Sequence, residues 1–182
     1  MAFSYLAAAT DALRQGEILQ NVREIRPKLD QGIYGLADMP SEARNYPFVL
    51  VVSADCDLFW DYDLKRQGSA PEHKRLNQVL LCELFERGDI RGADEGNVQL
   101  FNFIRKNQHE RYHRFDQGTI GESDDVLPEL YADFKRIIGL PIDVIYHQID
   151  ENVAVRFALL PESYTRHVMQ RLFSFLSRVG LP

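Results

Sequence analysis

Asp55 and Asp57 flank Cys56 in the segment Ser53-Ala54-Asp55-Cys56-Asp57-Leu58, directly after a strongly apolar run. Two carboxylates at a two-residue spacing can bind a hard cation such as Mg²⁺, which takes carboxylate, water and phosphate oxygens and supports phosphoryl transfer. Asp61 and Asp63 follow closely. A structural account competes, because aspartates at a strand exit make turn and cap hydrogen bonds. No glycine-serine phosphate loop precedes the pair, and no E-x-K follows Glu83. Neither a nucleotidyltransferase nor a common carboxylate–lysine nuclease set is therefore complete, and no metal is assigned. Cys56 would need a base or a cationic neighbour to become a nucleophile, and its neighbours are carboxylates; a buried structural cysteine is the expectation.

The second chemical segment is Arg105-Lys106-Asn107-Gln108-His109-Glu110-Arg111-Tyr112-His113-Arg114-Phe115. Its arginines and Lys106 can meet phosphates, Tyr112 or Phe115 can stack on a base, and His113 or His109 can move a proton near neutral pH. The alternative is a solvated helix end followed by an ordinary edge strand. His109 and His113 lie four residues apart, a metal-binding spacing only on one continuous helix. A Cys₂His₂ set with Cys56 and Cys82 has the wrong cysteine spacing for zinc.

Composition limits the setting. The chain has 182 residues, a net charge of −6 and 45% hydrophobic residues, which suits one domain with its own core. The acidic balance argues against nucleic-acid binding by the whole surface. Two cysteines outside any CxxC pair, with no basic leader before the first apolar stretch, predict free thiols, both buried, in a reducing cytoplasm. No apolar run is long enough to span a membrane, and no cofactor motif is present.

The elements that must hold these groups are legible in outline. Ser4 and Gly16 bracket an expected N-terminal helix over residues 1–15. Residues 16–22 alternate as a strand, and 26–45, with two prolines and two glycines, read as a loop. Phe48-Val49-Leu50-Val51-Val52 is continuously apolar, the pattern of a central strand covered on both faces. Strands are expected at 79–85, at 111–115 and within 130–140. Helices are expected at 97–108, from Pro141 to His147, and from Pro161 to Gly180, with 117–128 as a loop. The whole reads as a single α+β domain: a small, strongly bent barrel over 16–160 with helical insertions, closed by a helix over 161–182.

Gly16-Glu17-Ile18-Leu19, Pro47-Phe48-Val49-Leu50-Val51-Val52-Ser53, Phe134-Lys135-Arg136-Ile137 and Leu159-Leu160-Pro161-Glu162 occur in the order in which the MazF/PemK plasmid-maintenance toxins present similar segments. In pieces covering about half the chain, the sequence resembles that SH3-like barrel family. It is also similar to a group of poorly characterised bacterial proteins with an S-x-x-C-D-L corner and an ending like Arg178-Val179-Gly180-Leu181-Pro182. The toxin resemblance implies a metal-independent RNA endonuclease, with an arginine after the first strand and a threonine or serine on a later one. Arg23 and Arg26 fit the first place. The second fails, because Val79 to Phe85 offers Cys82 and Glu83 instead, and Asp57 to Asn77 is a long insertion for that family. The resemblance thus implies a MazF-like binding or regulatory protein with a degenerate site and a protein partner, in a toxin–antitoxin or phage-defence setting. The alternatives are an RNA endonuclease using Arg23, Arg26, Arg111, Arg114 and His113, and a Mg²⁺-dependent phosphotransfer enzyme using Asp55 and Asp57.

Overall fold

The computed structural model describes residues 3–6, 11–27, 41–68, 72–90 and 98–178. Over these residues the chain is α+β. Strands β1 (Phe3–Tyr5), β2 (Glu17–Pro27) and β3 (Ser41–Val51) lead into helix α1 (Asp55–Arg66). Strand β4 (Gln78–Phe85) and helix α2 (Val98–Arg105) precede β5 (Tyr112–Phe115), β6 (Gly118–Ile120), β7 (Val126–Leu127) and β8 (Leu130–Pro141). Helix α3 (Ile142–Asp150), β9 (Val155–Leu159) and α4 (Glu162–Leu176) complete the order. Six strands form one antiparallel sheet, ordered β5-β8-β4-β3-β2-β9, and β1-β6-β7 form a small second one.

Residues 48–51 of the apolar run lie on β3, inside the six-stranded sheet, and both faces there are covered as the pattern requires. Leu50 packs with Ile18, Leu84, Phe134 and the α4 residues Val168, Leu172 and Phe175. Val49 and Val51 face the other way, onto Leu19, Leu81, Leu58 of α1 and Ile145 of α3. Covering both faces of a sheet with helices leaves no reason for it to roll shut, and the expected closure into a barrel is not seen: β5 and β9 are its edges. A bridge between Leu6 and Leu159 hooks the small sheet onto β9.

The N-terminal helix is not formed over the described residues. Phe3–Tyr5 pair in parallel with Gly118–Ile120, inside the segment expected to be a loop. The segment from Asp11 to Gly16 is held by side chains instead. Arg156 meets the fully buried Glu17 at 2.5 and 2.8 Å and also donates to the carbonyls of Asp11 and Ala12. Gly16 sits at φ +86°, and a Cβ there would come within 2.4 Å of Thr165 Oγ1 on α4, so the position requires glycine.

The expected loop at 26–45 is replaced at both ends by a long hairpin ladder running to Pro27 and Ser41; residues 28–40 lie outside those described. Beyond Gln20, among the described residues, β2 has no strand on its β9 side. There the buried Gln148 side chain accepts from the Arg23 N–H and donates to the Arg23 carbonyl, both at 2.8 Å, in place of a strand. Asn21, at φ +59°, interrupts the alternation, which is why Leu19 and Val22, three apart, enter the same core.

Candidate functional site

The acidic corner is a helix start. Asp55 and Asp57 lie in the first turn of α1, where the helix dipole favours carboxylates. Asp55 accepts from the Gln15 N–H at 2.7 Å and from Arg14 Nε at 3.1 Å, so its oxygens tie the N-terminal segment to the helix. Ser53, nearly buried, accepts from the Leu80 N–H at 2.8 Å and continues the β3–β4 ladder one step past the strand. Among the described residues no group of three His, Cys, Asp or Glu side chains is placed to hold a metal. Cys56 corrects its expectation: it is exposed, whereas Cys82 is buried and its thiol is pushed up by burial and by the charges of Asp133 and Glu83. The carboxylates beside Cys56 argue against a reactive thiolate, but they do not place the side chain inside. As the second residue of a surface helix its side chain points outward.

The basic-aromatic segment crosses the turn from α2 into β5, and its cations divide into two kinds. Arg105 and Lys106 are exposed at the end of α2. Arg111 grips Asp133 with two bonds of 2.7 and 2.5 Å, which raise its pKa further, and lies over the Tyr112 ring at 4.8 Å. Arg114 pairs with Asp116 at 2.7 Å and Glu129 at 2.6 Å. Tyr112, offered by the sequence as a stacking face, is buried against Phe101, Ile104 and Tyr131.

His113 is fully buried. Its Nδ1 lies 2.8 Å from Arg171, and its Nε2 lies 3.2 Å from the Tyr164 hydroxyl. A guanidinium only donates, so Nδ1 is the acceptor and the neutral ring carries its proton on Nε2. That proton is donated to Tyr164, whose hydroxyl donates in turn to the Arg114 carbonyl at 3.1 Å. Burial, with Arg171 and His167 nearby, drives the His113 pKa down to about 3. The proposed acid or base is therefore a neutral strut between β5 and α4.

Arg23 and Arg111 do not converge. β5 and β2 are separated by β8, β4 and β3, which places them roughly 19 Å apart at the ordinary strand spacing. Arg23 is exposed, and Arg26 pairs across the hairpin with Glu42 at 2.8 Å.

Sequence reading missed a charge ladder across β3, β4 and β8. Glu83, barely accessible, accepts from Arg44 at 3.0 Å and from Arg136 at 3.1 Å; Asp133 is shared by Arg136 at 3.8 Å and Arg111. Arg44, Glu83 and Arg136 of the ladder line a cleft of about 350 Å³ with Phe48 and Phe85, and Arg136 lies over the Phe85 ring at 5.1 Å. The signal was available only through strand pairing, since Arg44, Glu83 and Arg136 are scattered in sequence. No family model matches the chain, and no curated protein matches it.

Proposed function

We propose that the chain is a MazF-like bacterial binding or regulatory component, catalytically degenerate, that engages a protein partner in a toxin–antitoxin or phage-defence setting. One observation carries this reading: Arg111, Arg114 and His113, three of the groups that would serve an RNA endonuclease, are committed to the fold, and the exposed Arg23 lies far from them. Arg111 and Arg114 are neutralised by carboxylates, and His113 is sealed beneath α4. The cleft over the charge ladder supports it, because half-buried arginine beside aromatic rings is the composition of protein-binding hot spots.

The test is incubation of the purified chain with a long mixed-sequence RNA, in EDTA and in Mg²⁺, beside Arg111→Ala. Intact RNA in all arms is expected. Site-selective cuts in EDTA that vanish in the variant would establish the endonuclease instead. Cuts that need Mg²⁺ and vanish in Asp55→Asn would establish metal-dependent phosphotransfer.

A further inference from the structure

On the flank of α1, Asp57, Trp60, His73, Lys74, Arg75 and Leu76 line a cleft of about 450 Å³. That volume lies within the range of small-ligand sites. Trp60 is the only tryptophan in the chain and is 53% exposed, with Phe59 edge-on to it at 6.3 Å and also exposed. A large aromatic on a surface helix, one turn from a polar start, contributes nothing to the core that a smaller residue would not.

The opposite wall is fixed in place. Asp61, fully buried, accepts from the Leu76 N–H at 2.9 Å. Its second oxygen has no well-aligned hydrogen bond, and its compensation is Lys65 Nζ at 2.7 Å. The segment carrying His73, Lys74 and Arg75 is thereby pinned to α1 from beneath. All three of those side chains are exposed and, among the described residues, none is in a salt bridge. Lys74 lies over the indole at 5.8 Å, its one partner there. In a chain of net charge −6, whose other arginines are mostly ion-paired, His73, Lys74 and Arg75 line one cleft with an open indole.

We infer that this cleft binds a nucleotide unit: a planar base stacked on Trp60, with its phosphate held by Lys74 and Arg75. Base stacking on an exposed aromatic with cations at the backbone is how sequence-tolerant nucleotide binding is built. Lys74 moves from the ring face to the phosphate as the base takes its place. Asp57, the one carboxylate of the lining among the described residues, repels phosphate and accepts from a sugar hydroxyl, which orients the ligand with its phosphate toward Arg75. The unit can come from a free mononucleotide or from a single strand. The inference is independent of the protein-partner reading, because the two clefts share no residue.

Because Trp60 is the sole tryptophan, its fluorescence reports this cleft alone. The full chain is titrated with AMP, with adenosine and with a short oligothymidylate at low and high salt. Lys74→Glu/Arg75→Glu is measured in parallel and checked for folding by circular dichroism. Saturable quenching by AMP, weakened about tenfold or more in the double variant, is expected. Quenching by the oligonucleotide far below the AMP concentration, with steep salt dependence, assigns the site to single strands; equal potency assigns it to free nucleotides. No quenching by either ligand, adenosine as potent as AMP, or a folded double variant that binds like the wild type would each overturn the inference.

Discussion

At the scale of single residues, hydrogen-bonding chemistry decides what each candidate group can do. His113 lies between a donor-only guanidinium and a hydroxyl, which fixes its tautomer and keeps it neutral. Its pKa falls from 6.5 in the unfolded chain to about 3 in the fold. Between those values the unfolded state binds the extra proton, so stability is lost as the pH falls through that window. Glu17, raised by burial against its bonds from Arg156, acts in the opposite sense near its own range. The urea midpoint should therefore drop on acidification below neutral. It should drop less steeply in His113→Gln, which keeps a donor and an acceptor but does not titrate; equal slopes in both proteins would contradict this. Thiol labelling makes a second check. In the native protein one cysteine per chain, Cys56, should react rapidly, and Cys82 should react only in denaturant. The sequence could not separate these two thiols, because nothing in the local pattern showed that Cys56 opens a helix.

At the scale of elements, β5 illustrates how an edge strand is guarded. Asn107 bonds the Arg114 N–H at 2.6 Å and its carbonyl at 3.0 Å, and Arg171 donates to the carbonyls of His109 and Tyr112 at 2.7 and 3.0 Å. Side chains here occupy the positions another strand would take. Arg171→Ala should cost about 2–3 kcal/mol, since it strips buried acceptors as well as His113 of their donor. Lysine should not restore the loss, lacking the planar fork. Chemical denaturation of the three proteins checks both statements. Strand β5 itself was legible, but its guard was not: Arg171 reads as part of the polar face of α4, and only the packing of α4 on the sheet turns it inward. Helix α1 was missed for a related reason, because just Leu58 and Asp61 of its residues are buried. Asp61→Ala should destabilise the chain by about 2 kcal/mol by leaving Lys65 with only the exposed Asp143 and freeing the Leu76 N–H. An unchanged urea midpoint would remove Asp61 as the anchor of that segment.

At the scale of the whole molecule, the strands with apolar cores were visible from pattern alone, and the way they assemble was not. The runs at 48–52 and 79–85 and the helix after Pro161 were legible because each buries a regular apolar face. The open sheet, the small second sheet and the side-chain tether at Arg156 depend on contacts between residues far apart in sequence. Among the described residues no helix is long and apolar enough to cross a membrane. Arg111, Arg114 and His113, which by type suit catalysis, are bound into the structure. The most direct measurement is an NMR titration of the imidazole nitrogens of His113. The account predicts an Nε2-protonated neutral ring with no titration between about pH 5 and 8. A His113 signal that titrates near its ordinary value, or the opposite tautomer, would contradict it and return the ring to the list of working acids and bases.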